Sequence, residues 1–170
     1  MAGLSVTTAP TSEPITTAEA KSFLRVDISD DDTLIDNLIQ SAREFCEEYT
    51  GRTLINTTYK LSLDGFVEDD IPIKEGLYQA PYMNFYKRYI PLARPPLSSV
   101  THVKTFTDDD TESTFASSKY YVDTQRNPGR VVLRDGETWP TSLRVANAVE
   151  ITYVAGYGSA ASSVPSALKV

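Results

Sequence analysis

Apolar residues between positions 31 and 50 recur at the spacing of one helix face: Leu34, Ile35, Leu38, Ile39, Ala42, Phe45, Cys46 and Tyr49. Ser29 and the aspartates at 30–32 precede this run. Ser29 or Asp30 is the expected N-cap, and the acids that follow sit where the helix dipole favours them. Gly51 is the expected end, because glycine accepts the left-handed cap. The pattern predicts a helix over about 31–50, roughly 30 Å long. Its apolar face is expected to be buried, and Asp36, Asn37, Gln40, Arg43, Glu44 and Glu47 form the polar face. Upstream, Thr16, Thr17, Ala18 and Glu19 form a capping-box pattern that predicts a short helix over 17–24. So short a helix is not stable alone and must pack on a neighbour. Residues 1–15 are rich in Thr, Ser and Pro and read as a flexible arm.

After Gly51 the period changes from helical to alternating. Thr57 to Leu63 alternates through Tyr59, Leu61 and Leu63 and stops at the turn pair Asp64–Gly65. Residues 66–97 form an aromatic and proline-rich loop, punctuated by Pro72, Pro81, Pro91, Pro95 and Pro96, which excludes a long regular element. Within it, residues 77–89 carry Tyr78, Tyr82, Phe85, Tyr86 and Tyr89, a candidate contact surface. Strands are expected at 100–107, 119–123, 130–134 and 148–154, with Asn127–Pro128–Gly129 as a tight turn. Short strands between turn signals read as a small antiparallel sheet. The expected fold is therefore α+β: an N-terminal antiparallel helix pair packed with an antiparallel β-rich region. The divisions are an arm at 1–15, a helical core at 16–56, a β-rich region at 57–158, and a linker with the start of a helix at 159–170.

The chain has 170 residues, enough to bury a real core, and 41% hydrophobic content argues against wholesale disorder. No apolar run is long enough for a membrane helix, and the first 14 residues lack the basic start and apolar centre of a signal peptide. A net charge of -7 is wrong for broad grip on a nucleic acid backbone. Cys46 is the single cysteine, so no internal disulfide forms, and its place on the apolar helix face reads as a buried, inert thiol.

Candidate chemistry is sparse. His102 is the only histidine, and no serine nucleophile motif accompanies it. The acidic runs at 30–32 and 108–110 lack calcium-loop spacing and read as a helix start and an exposed hairpin turn. One Cys and one His cannot build a zinc site, and no phosphate loop is present, so no cofactor is expected. Lys87, Arg88 and Arg94 interleave with Tyr86 and Tyr89, which suits a protein interface better than a nucleic acid groove in so acidic a chain. Two rival readings are a small monomeric β-rich binding domain using Tyr82, Phe85, Tyr86 and Trp139, and a hydrolase-like enzyme with a diffuse acidic site.

One set of residues carries a resemblance. Lys21, Leu24, Arg25, Val26 and Asp27 are followed by Asp31, Asp32, Leu34 and Ile35, then by a helix closing on Thr50, Gly51 and Arg52. These resemble the head–tail connector, or adaptor, proteins of tailed bacteriophages. LARPPLSSV at 92–100, YYVD at 120–123, Trp139–Pro140, VEITYVAGYG at 149–158 and Val164–Pro165 are similar to the larger branch of that family, which inserts a β-rich region into the helical bundle. The resemblance implies a non-enzymatic virion subunit, assembled in the host cytoplasm and placed at the head–tail interface. It implies a closed homo-oligomeric ring, about twelve subunits being typical. The implied partners are the portal protein above and a stopper or tail-completion protein below. DNA would pass through the ring without sequence-specific binding, and no membrane is involved. The family's further C-terminal helices are expected to be cut short at Val170. Contact residues expected from this reading are Arg25, Asp27, Gln40, Arg43, Glu44, Tyr78, Tyr82, Phe85, Tyr86, Arg88 and Tyr89.

Overall fold

A computed structural model describes residues 3–66 and 88–169. It shows an α+β fold. Helix α1 runs over Thr17–Leu24 and α2 over Asp32–Thr50. The strands are β1 (Gly3–Thr8), β2 (Thr57–Leu63), β3 (Tyr89–Pro91), β4 (Leu97–Phe106), β5 (Glu112–Phe115), β6 (Tyr120–Asp123), β7 (Arg130–Leu133) and β8 (Val149–Ala155). They form a five-stranded sheet in the order β1-β2-β8-β4-β5 and a three-stranded sheet in the order β3-β7-β6. Every pairing is antiparallel.

Alternation explains the core. Along β2 and β8 every second residue points inward, so Tyr59, Leu61, Val149, Ile151 and Tyr153 are buried. Ile90, Val131, Leu133 and Tyr120 of the smaller sheet join them in one cluster. Aromatic rings fill the end near β5. Phe66 stacks on Trp139 with centroids 4.4 Å apart, and Phe115 lies 5.2 Å from Trp139. A second cluster holds Leu54, Ile55 and Val164, with Cys46, Tyr157 and Leu168 packed against it. It joins α2 to the chain leaving β8.

Helix ends follow local chemistry. Thr16 N–H donates to Glu19 Oε2 at 2.7 Å, and Glu19 N–H donates to Thr16 Oγ1 at 3.1 Å, completing the capping box. Gly51 caps α2 at φ 64, its N–H reaching Glu47 O and Glu48 O. The N-cap of α2 is Asp31, one or two residues later than expected, with no side-chain cap bond.

Several elements differ from the sequence reading. The arm is not free of structure, since Gly3–Thr8 pairs with β2. None of its side chains is buried, so it is held by main-chain bonds and carries no apolar signature. Strand β5 occupies what read as a connection, because Glu112, Ser113 and Thr114 are exposed and only Phe115 is buried. Asp109 shapes the hairpin before it by accepting from Thr111 N–H at 3.2 Å. β3 lies inside the proline-rich stretch. The expected C-terminal helix is two short 3₁₀ turns, Ala161–Ser163 and Ser166–Leu168.

Two predictions follow from local geometry. At Gly156, φ is +136 and an added Cβ would lie 2.6 Å from Asn56 N, whereas Gly51 has φ +64 and nothing within 4 Å. Gly156→Ala should therefore cost about 3 kcal/mol and Gly51→Ala about 1 kcal/mol in urea unfolding. Equal costs would contradict this packing. In α1, the Thr16 backbone N–H and then its hydroxyl hold the Glu19 carboxyl below the usual glutamate range. The capping contribution is thus present above that usual range and lost as pH falls through the depressed value. NMR titration should place Glu19 below the usual glutamate range, and Thr16→Ala should bring it part of the way back.

Candidate functional site

Helix α2 is anchored through charge. Arg43 Nε donates to Glu13 Oε2 at 2.7 Å, and Arg43 Nη1 donates to Glu47 Oε2 at 2.9 Å. The Arg43 side chain is 7% exposed and that of Glu47 10%. Glu47 Oε1 accepts from Leu54 N–H at 2.7 Å, tying the helix to the link that enters β2. Arg94 Nη1 donates to Glu47 O at 2.9 Å, and Arg94 also pairs with Glu48. Burial pulls the Arg43 guanidinium down, but Glu13 and Glu47 overcome this and hold it firmly charged. Three separate segments therefore converge on one turn of α2.

This anchoring corrects the expected orientation of α2. Arg43 and Glu47 were read as polar-face residues, yet they face the protein. Ile35 is buried and Ile39 and Cys46 half-buried beside them, so Cys46 is not the fully buried thiol expected. The rest of the apolar arc points outward. Leu34 and Leu38 are each 57% exposed, Phe45 73% and Tyr49 85%. Phe45 and Tyr49 stack on each other at 6.3 Å. The outward stripe lies roughly 120° around the helix axis from the anchored side. On α1, Phe23 and Leu24 are likewise exposed, as is Ile28 between the helices.

The expected contact residues separate into groups. Arg25 caps α1 at φ 58, and both it and Asp27 are exposed. Gln40 and Glu44 are exposed and bonded to each other at 2.9 Å. Arg43 is internal, as described. Arg88 is exposed and pairs with Asp135 at 2.5 Å. Tyr89 is half-buried, with the Arg130 guanidinium 5.0 Å over its ring. Tyr78, Tyr82, Phe85 and Tyr86 lie outside the described residues. Arg52 sends its side chain to Tyr157 Oη at 2.9 Å, and Arg94 takes the helix carbonyl of Glu47. The exposed stripe of α2 was missed as a surface. Its signal was an apolar arc of eight positions, wider than one contact needs.

Little in the geometry points to a reaction. His102 sits in β4 opposite Thr152, with no serine or carboxylate bonded to it among the described residues. Among the described residues no group of three or more His, Cys, Asp or Glu could hold a metal. A recess beside β5 is lined by Thr105, Ser113, Phe115, Lys119 and Trp139 among others, with no His, Cys, Asp or Glu in its walls. Trp139, assigned to an aromatic groove in the rival binding reading, is buried against Phe66 and Phe115. What the chain presents outward is surface, chiefly the uncovered helix faces. Residues 14–95 match the family described as phage gp6-like head-tail connector protein.

The chain resembles head-tail connectors.

Solved structures extend the likeness beyond the helices. The fold agrees with a chain in the neck of an empty GTA particle, computed with C6 symmetry, at a TM-score of 0.70 and 21% identity, covering 96% of this chain and 75% of that one. It agrees with a chain of the native gene transfer agent virion at a TM-score of 0.68 and 20% identity, covering 95% and 75%. A third likeness is to the neck of the native GTA particle computed with C12 symmetry, at 0.62 and 19%, covering 96% and 74%. No curated protein matches in sequence.

Removing one partner of a buried pair leaves the other charge uncompensated. Arg43→Leu should cost about 3 kcal/mol in denaturant unfolding. Arg43→Leu combined with Glu47→Gln should cost less than the two single changes added together. Strict additivity would show that the pair does not anchor α2.

Proposed function

We propose that this protein is a structural subunit of a bacteriophage head–tail connector ring, joining the portal to the stopper or tail and continuing the DNA channel. The observation that carries this reading is the fold agreement across 96% of the chain with a neck component at a TM-score of 0.70. The C6 and C12 symmetries of the neck reconstructions support a closed rotational assembly. The protein would work in the virion through its surfaces, with no reaction of its own.

A closed ring needs two unlike patches per subunit, because its contacts run head to tail. We place candidate contacts at the exposed Arg25, Asp27, Gln40, Glu44 and Arg88. Tyr89 and the aromatic residues Tyr78, Tyr82, Phe85 and Tyr86 are further candidates. Electrostatics support passage of DNA without adhesion. Net charge is -7, and most cations are engaged within the chain, as in Lys21–Asp32, Lys60–Glu150, Lys104–Glu112 and Arg130–Asp123. A wall with surplus carboxylates repels a phosphate backbone.

Negative-stain imaging with the cognate portal tests the proposal. Rotational rings seated on the portal are the expected result. A protein that stays solitary beside its portal would overturn it.

A further inference from the structure

We propose that the outer face of the three-stranded sheet, centred on Arg134, receives a carboxylate from the α1–α2 link of a second copy of this chain. The inference rests on reading the protein as a ring subunit, and it names the two unlike patches that such a ring needs. The inner face of the sheet, with Ile90, Val131, Leu133 and Tyr120, belongs to the core. On the opposite face Tyr89, Val132 and Tyr121 lie in one register row across β3, β7 and β6. An arginine covers each tyrosine. The Arg130 guanidinium lies 5.0 Å from the Tyr89 ring centre, and that of Arg134 lies 3.7 Å from the Tyr121 ring centre. The two arginines differ in one respect. Arg130 Nε donates to Asp123 Oδ2 at 2.9 Å, so its charge is answered within the chain. The Arg134 side chain has no such carboxylate among the described residues, and its buried Nε makes no hydrogen bond. A guanidinium favours a forked bond to a carboxylate. Stacking on Tyr121 has already fixed the plane of this one, so an incoming acceptor meets donors set in place. Arginine and tyrosine are also the residues that concentrate contact energy.

Charge names the donor. Around this sheet Arg88 pairs with Asp135, Lys119 with Glu137 and Arg130 with Asp123. That leaves Arg134 and the exposed Arg126 of the β6–β7 turn without anions among the described residues. The link between α1 and α2 is the reverse. Asp27, Asp30 and Asp31 are exposed there without ion pairs among the described residues, against Arg25 alone. Lys21 takes Asp32, the first residue of α2, and not the link. Within one chain the spare arginines and the spare carboxylates do not meet. A head-to-tail contact brings them together and sets no patch against its own copy. A phosphate backbone is the poorer occupant, because a chain of net charge -7 repels it overall.

The test uses the full chain assembled on its cognate portal, with rings counted by negative-stain imaging. Arg126→Glu/Arg134→Glu makes both patches acidic, and Asp27→Lys/Asp30→Lys makes both basic. Asp31 is left in place as the N-cap of α2. Each variant alone should form rings about tenfold or more less often than the parent chain. An equimolar mixture of the two should restore them, because alternating subunits then meet with opposite signs at every contact. A chain carrying all four substitutions should also assemble. A patch that merely supported folding is not rescued by mixing. Circular dichroism checks the fold of each variant, and where the change at Arg134 unfolds the chain, Arg126→Glu alone is put through the same exchange. Rings that persist in both variants, or losses that neither mixing nor combination restores, overturn the proposal and leave the ring reading intact. A DNA duplex that binds the parent chain and is lost with Arg134→Gln assigns the face to phosphate and also overturns it. A parent chain that forms no rings on the portal removes the ring reading, and this inference with it.

Discussion

The buried pairing of Arg43 with Glu47 decides how α2 sits, and much of the surface follows from that. A guanidinium removed from water is tolerable only when its donors are met by charge. Glu13 and Glu47 meet two of them at 2.7 and 2.9 Å. Glu47 is in turn held by Leu54 N–H, so the carboxylate cannot swing away without orphaning a buried amide. These bonds fix the roll of the helix about its axis. With Arg43 and Glu47 turned inward, Leu38 and Phe45 have nowhere to go but out.

The β region supplies a frame against which that roll is fixed. Its two sheets share one cluster through Val103, Ile151 and Val131, each without exposed surface. Arg94 leaves this frame just ahead of β4 and caps α2 at Glu47 O. The Tyr153 hydroxyl, its ionisation disfavoured by burial, donates to Ala93 O at 3.0 Å in the same segment. A core residue of β8 thus steadies the backbone that presents Arg94 to the helix. Helix and sheet are coupled through a short polar segment, not through a broad apolar interface.

That coupling explains which parts of the fold could be read from sequence. The capping box of α1, the Gly51 end of α2 and the alternation of β2 and β8 are local signals, and local chemistry determines them. β1 was invisible because Leu4 and Val6 gain little burial from pairing and the backbone does the holding. β5 was hidden by its polar exposed face. The inversion of α2 has a different cause. Amphipathic spacing shows that a face is apolar, but it does not say whose surface covers it. Here the chain's own contact is made by an i,i+4 charge pair, a pattern that on most helices marks solvent exposure. The candidate site shared this blind spot: Gln40 and Glu44 are exposed as expected, whereas Arg43 is spent inside the molecule.

The same bookkeeping of charge shapes the exterior. Across the five-stranded sheet, cations are matched by neighbours on adjacent strands, as with Lys60 and Glu150 on β2 and β8, or Lys104 and Glu112 on β4 and β5. Exposed pairs of this kind add little stability, but they cancel the field over that region. On the helices Lys21 pairs with Asp32, Arg43 with Glu13 and Glu47, and Arg94 with Glu48. Asp27, Asp30 and Asp31 stand without ion pairs among the described residues, and the one arginine of α2 is buried. The unpaired carboxylates therefore lie in the link between α1 and α2.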